Sequence, residues 1–276
     1  MKNNSIPIKD IFISLVVITA LIVVVIVTFM GVLTVPLSQQ IGQFRLSTTD
    51  LGISLSQPVS HATYLLNGYN DYVVDASGNR FAIVPFENRE NVVKDDGQQK
   101  NIGSLANYVA AYFMQKPIRY RFIFDEAEAI YTADAHDNIV TVTRTISNYP
   151  LVTKAEKLGV TFKYERDDLV FDEQGILYTE NTIEDHHTLE SVLGITLTRH
   201  DSSERRPQLA GKALYIVNPH VSGALVIRVA SHQTIAINKD SRIVELEQIN
   251  KNFGSNTVTF QSQIQIFNSI ANIRKI

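Results

Sequence analysis

Thr257-Val258-Thr259-Phe260-Gln261-Ser262-Gln263-Ile264-Gln265-Ile266-Phe267 is the stretch on which the fold turns. Val258, Phe260, Ile264 and Ile266 fall on one face, and Thr257, Thr259, Gln261, Gln263 and Gln265 on the other. That two-residue period belongs to a strand with one face in a core and one in water. Ile118–Phe124 alternates likewise, and Ile139–Ile146 and Val160–Arg166 are rich in Val, Thr, Tyr and Phe, which suit a pleated, half-buried surface. Turn residues separate the runs at short intervals: Ala76-Ser77-Gly78-Asn79, His136-Asp137-Asn138, Arg166-Asp167-Asp168, Asp172-Glu173-Gln174-Gly175 and Asn238-Lys239-Asp240-Ser241. Strands joined by tight turns pair antiparallel, and no helices alternate with them to build a parallel sheet. The expected fold is mainly β, with residues 61–276 forming a large antiparallel β-sandwich.

One stretch departs from the alternation. Ile102, Leu105, Ala106, Val109, Ala110 and Phe113 recur at spacings of three and four, the apolar face of an amphipathic helix over Ile102–Lys116 that stops at Pro117. This inserted helix is expected to lie across a sheet or to plug one end of the sandwich, and Thr153–Leu158 suggests a second, shorter helical turn.

Ahead of the sandwich, Ile11–Val35 carries no charge. As a helix its roughly 25 residues would reach about 37 Å, more than the ~30 Å hydrocarbon core of a bilayer. The run leaves through Leu33-Thr34-Val35-Pro36 with no small-x-small site, so it reads as an uncleaved signal anchor rather than a signal peptide. Lys2 and Lys9 precede it, which assigns residues 1–10 to the cytoplasm and everything after Val35 to the extracytoplasmic side of a single-pass membrane protein. The lipid bilayer is thus an expected partner through Ile11–Val35. Residues 36–60, with Ser, Thr, Gln and Gly among scattered Leu and Ile, are expected as a stalk.

The 25 Lys+Arg against 28 Asp+Glu give a net charge of -3, without the basic footprint of a nucleic-acid binder. With no Cys, disulfides, thiolate metal sites, iron–sulfur clusters and a cysteine nucleophile are excluded. Neither a nucleophile elbow, a dinucleotide fingerprint, a phosphate loop, a zinc-protease helix nor a calcium loop occurs, and no cofactor is expected.

Candidate chemistry therefore rests on clusters. Glu184-Asp185-His186-His187-Thr188-Leu189-Glu190 is the densest polar group. On a strand, Asp185 and His187 share one face and Glu184 and His186 the other, so a metal or acid/base site built on Asp185, His186 and His187 needs a further ligand such as His200, His220 or His136. The alternative is a charged turn after the strand Ile176–Ile183. Asp134-Ala135-His136-Asp137-Asn138 reads as a hairpin turn. Asp125/Glu126 and Asp167/Asp168 are carboxylate neighbours, which on a strand point to opposite faces. Tyr64, Tyr69 and Tyr72, with Asn67 and Asn70, form an aromatic and amide-rich stretch suited to stacking on sugars or lining a peptide groove; core packing is the competing account.

No family is recognised from motifs. In architecture the expected domain is similar to sugar-binding supersandwiches of the galactose-mutarotase-like kind and to extracytoplasmic domains of envelope assembly factors, a resemblance that carries over no residue. The leading expectation is a membrane-anchored, non-catalytic β-sandwich that binds an envelope protein or a glycan. The alternative is a membrane-tethered carbohydrate-active enzyme using loop His and carboxylate residues.

Overall fold

The computed structural model describes residues 13–22, 38–49, 52–66, 71–83, 93–95, 117–124, 127–179, 189–200, 203–209, 211–219 and 223–275. These residues are mainly β, in three sheets. The largest runs in spatial order β14 (Thr198–Arg199), β13 (Ile176–Leu177), β12 (Leu169–Asp172), β15 (Ala213–Val217), β16 (Ala224–Arg228), β19 (Thr257–Phe267), β10 (Ile139–Ser147), β9 (Ala127–His136), β8 (Ile118–Phe124) and β7 (Val93–Asp95). A second sheet runs β17 (Gln233–Asn238), β18 (Ile243–Ile249), β11 (Ala155–Lys163), β5 (Tyr72–Asp75) and β6 (Arg80–Ala82); a third runs β1 (Ser38–Ile41), β2 (Phe44–Thr49), β3 (Gly52–Ser56) and β4 (Thr63–Leu65). The described pairings are antiparallel apart from the short parallel contact of β13 with β14.

Period-2 alternation places the core. In β19 the Val258, Phe260, Ile264 and Ile266 side chains are buried and the Thr/Gln face is largely exposed, as the sequence pattern requires. β10 and β9 repeat the pattern at their paired positions. The buried face of this sheet meets Val73, Leu158, Val160, Phe162, Val244 and Leu246 of the second sheet and Phe44, Leu46, Ile53 and Leu55 of the third in one apolar cluster. One long sheet is thereby packed against two shorter ones as a sandwich. At its β12–β15–β16 end the long sheet is buried on both faces. Phe171, Tyr215, Val226 and Phe267 face a second cluster that is closed by Leu189 and Leu193 of the helical segment 189–193 and by Ile273. This is why Ala213–Val217 reads as a continuous apolar run rather than as an alternating one.

Turns follow their residue chemistry. Asp137, at φ 54°, makes the two-residue link between β9 and β10, and Asp75 Oδ1 accepts from the backbone N–H of Ser77 (2.9 Å) and Asn79 (2.8 Å) in the β5–β6 turn.

Two expectations need correction, and two others fall wholly or largely outside the described residues. Residues 36–60, expected as a stalk, supply β1, β2 and β3, and Ile41, Phe44, Leu46, Ile53 and Leu55 are core. The scattered apolar residues of that stretch alternate along strands, and polar composition masked them. Of the expected membrane span Ile11–Val35, the helix 13–22 is described, with its side chains exposed, and the remainder lies outside the described residues. Among the described residues no helix is long and apolar enough to cross a membrane. The helix expected over Ile102–Lys116 also lies outside the described residues. Thr153–Leu158 yields only a 3-10 turn at Val152–Lys154, after which the chain continues into β11.

Candidate active site on the five-stranded sheet

In β18, Val244 and Leu246 turn into the core, so Glu245 and Glu247 both turn outward. β11 places Gly159 opposite Glu247 on one side and opposite Tyr72 of β5 on the other. The absence of a side chain at Gly159 is what lets the Tyr72 ring lie across the sheet: a Cβ at this position would fall 2.1 Å from the ring. The Tyr72 hydroxyl thus donates toward Glu247 Oε1 (2.8 Å) and Glu245 Oε2 (3.3 Å). Arg80 of β6 stacks 4.4 Å above the Tyr72 ring and reaches both carboxylates, Nη1 to Glu245 at 2.9 Å and Nη2 to Glu247 at 2.6 Å. From the opposite side Arg206 also bonds Glu245. Arg206 is held there because its segment extends the β17 edge, through Leu209 N–H to Ile235 O (3.0 Å) and Ile237 N–H to Pro207 O (3.1 Å). Lys157 lies 3.7 Å from Glu247.

Arg80, Arg206, Glu245 and Glu247 line an open cavity of 190 Å³, together with Gln208, Thr234, Ile235 and Ala236, whereas Tyr72 is buried and is not part of its lining. The Glu245 side chain is 8% exposed and that of Glu247 17%, so the two adjacent carboxylates depend on the guanidinium groups for compensation. Burial, then the negative charge of Glu247, pushes the Tyr72 phenol well above its usual 10.0, and it stays a proton donor at neutral pH. The arrangement can present two carboxylates, braced by two guanidinium groups, to a polar ligand.

The candidates singled out in the sequence separate. Tyr72 belongs to this site. Tyr64 does not: it is a core residue, stacked on Phe162 at 6.0 Å, with its hydroxyl on Asp168. His200 follows β14, half-buried and stacked on Tyr178 at 5.2 Å, with its backbone N–H on Leu177 O (2.9 Å) and no hydrogen-bond partner at Nδ1. His136 is 89% exposed on the hairpin. Asp185, His186, His187, Tyr69 and His220, together with Asp125 and Glu126, lie outside the described residues. Among the described residues no three His, Asp or Glu side chains come together as metal ligands.

Two buried carboxylates were not anticipated as such. Asp71 pairs with Arg144 inside the sandwich (Nε to Oδ2, 3.3 Å) and accepts from the Thr161 backbone N–H (2.8 Å) and hydroxyl (3.1 Å). Arg144 also donates to Ser262 Oγ (2.8 Å) and Leu66 O (2.5 Å), so this network joins all three sheets. Asp168, expected in a turn, is fully buried; it accepts from the Tyr64 hydroxyl (3.1 Å), Asn218 Nδ2 (3.2 Å) and the Glu165 backbone N–H (2.8 Å). Burial pushes its carboxyl up to about 6 despite these donors. The Thr/Gln face of β19 borders a larger groove of 740 Å³ lined by Gln233, Gln248, Gln261, Gln263, Gln265 and Arg228, rich in amides and without a carboxylate.

No family model matches the chain, and no curated protein matches its sequence. Solved structures do resemble it. An α-N-acetylgalactosaminidase from Bifidobacterium bifidum aligns over 83% of this chain at 8% identity and a TM-score of 0.46, and the chain spans 36% of that enzyme's length. A putative aldose 1-epimerase from Escherichia coli aligns over 84% of this chain and 98% of its own (10% identity, TM-score 0.36), and a galactose mutarotase-like protein from Lactobacillus casei over 84% and 99% (10% identity, TM-score 0.37). The likeness is one of outline and transfers no residue. The names of these neighbours are those of sugar enzymes and a mutarotase-like protein, which side with the alternative expectation and against that of a non-catalytic binding module.

Proposed function

We propose that the chain is a carbohydrate-active enzyme whose acid/base site is the Tyr72, Glu245 and Glu247 cluster. The observation that carries this reading is the Glu245 and Glu247 carboxylate pair, which lines an open cavity between Arg80 and Arg206 and is bridged by the buried Tyr72 hydroxyl. One phenol oxygen bonding both Glu side chains holds their oxygens within about 6 Å of each other, compatible with the ~5–5.5 Å carboxylate pair of retaining glycosidases. Glu247, the more exposed carboxylate, serves as base or nucleophile, with Glu245 as the second carboxylate of the pair; the Tyr72 hydroxyl and the Arg80 and Arg206 guanidinium groups position them. The carboxylates come from a strand rather than from loops, and no His takes part. Anomer interconversion of reducing sugars, followed by proton NMR, and release of nitrophenol from aryl glycosides test the reading on the full chain. Glu247→Gln is expected to lower the measured rate by ~10²-fold or more. A wild-type protein that accelerates neither reaction, or a variant as active as wild type, overturns it.

The tether is part of the proposal. The uncharged run Ile11–Val35 and the apolar side chains of Leu15, Val16, Ile18 and Leu21, all exposed on the helix 13–22, support a membrane anchor with the sandwich on the extracytoplasmic side. The full chain is expected to sediment with membranes and to resist extraction by high salt and alkaline carbonate. Release by either wash refutes the tether.

A further inference from the structure

A second cavity, of 460 Å³, lies on the other side of the segment that carries Arg206. Its walls come from the β11–β12 link, the end of β13, residues 203–205 and the β17–β18 turn. Backbone hydrogen bonds fasten these walls to one another: Tyr164 N–H to Arg242 O (3.1 Å), Arg242 N–H to Lys239 O (3.4 Å) and Lys239 N–H to Arg205 O (3.2 Å). The fold thereby fixes the backbone of these walls, on which Arg166, Glu204, Arg205 and Asp240 carry exposed side chains. Arg242 sits at φ 55°, a left-handed conformation that costs a non-glycine residue energy and is retained where surrounding structure over-determines it. Its guanidinium lies near the buried Tyr164 phenol, where burial raises the pKa and the Arg242 charge pulls it back.

Charge decides what the cavity accepts. Arg166, Arg205, Lys239 and Arg242 line it against Glu204 and Asp240, a local excess of positive charge in a chain whose net charge is -3. Asp240 is spent at the open rim on Arg205, at 3.6 Å, where both side chains are mostly exposed. Concentrated guanidinium groups with pre-positioned donors recognise carboxylate or phosphate oxygens. We propose that this cavity binds the anionic group of an acidic saccharide, a sugar carboxylate or sugar phosphate, and that residues 203–206 form the shared wall between it and the acid/base site. The anion follows from the cavity's own charges; that a sugar bears it rests on the carbohydrate reading above.

Calorimetric titration of the full chain with glucuronate, glucose 6-phosphate, inorganic phosphate and glucose separates the two parts. Binding of glucuronate or glucose 6-phosphate, weaker in higher salt and at least tenfold weaker in both Arg166→Ala and Arg242→Gly, is the expected result, with glucose silent. Glycine tolerates the φ of Arg242, so that variant removes the charge while leaving the turn its conformation. Glu247→Gln should bind these ligands like wild type, which keeps the outcome independent of turnover. Inorganic phosphate binding as tightly as the sugar acids would uphold the anion cavity and overturn the saccharide. No anion binding at all, or binding unchanged in both arginine variants, overturns the proposal.

Discussion

Asp71 and Asp168 are both fully buried, and their surroundings oppose burial by different means. At Asp71, burial pushes the carboxyl up while a whole positive charge, Arg144, pulls it down, helped by Thr161 and Tyr131. At Asp168 three neutral dipoles do the opposing, from Tyr64, Asn218 and the Glu165 backbone, and Glu165 adds a like charge. Hydrogen bonds from neutral groups satisfy an acceptor but only partly replace the hydration of an anion; a buried counter-ion compensates the charge itself. The Arg144–Asp71 pair belongs to the architecture, because its hydrogen bonds tie the long sheet to both shorter ones. Asp168 instead lies in the β11–β12 link, bonded to Tyr64 and Asn218, and changes protonation in the mildly acidic range.

The comparison breaks most visibly at Arg144. Arg144→Met leaves Asp71 buried with no cation, and is expected to cost about 3–5 kcal/mol in denaturant unfolding, the usual penalty for removing one member of a buried pair. Adding Asp71→Asn should recover part of that loss. A single variant within 1 kcal/mol of wild type would mean that the pair contributes little.

Asp168 sharpens the other half. Its folded-state pKa of about 6 lies above the usual 3.8, so the folded protein holds this proton more tightly than the unfolded chain does. The stability it contributes is complete below about pH 4 and is lost as pH rises to about 6, a change on the order of 3 kcal/mol. Unfolding free energies measured across that window should carry this downward component, and Asp168→Asn should lack it. Equal slopes in the two proteins would place the titration elsewhere.

Much of this organisation is legible in the order of residues alone. Thr257–Phe267 alternates, and its buried and open faces are those the pattern names. The turn at Asp137-Asn138 and the Asx turn at Asp75 are local chemistry and occur where the residues indicate. Arg144 also left a signal: it occupies an inward slot in the series Val140, Val142, Arg144, Ile146, where a charge has to find a partner. Val244-Glu245-Leu246-Glu247 likewise announces two carboxylates on one strand face. What neither segment shows is the partner. Asp71 is remote from Arg144, and the Glu pair is reached from two distant parts of the chain, by Tyr72 and Arg80 of the β5–β6 hairpin and by Arg206.

The sequence by itself determined the strongly alternating strands such as β19, their buried faces and the turns at Asp75 and Asp137, because a two-residue period and the preferences of Asp, Asn and Gly act between neighbours. Only the tertiary structure decided that residues 38–56 belong to the core, that Tyr64 is packing while Tyr72 joins a polar site, and which buried carboxylate meets a cation. Those outcomes depend on which strands become adjacent. That choice is made by the summed burial of distant faces and by contacts such as Tyr72 over Gly159, which no local pattern encodes.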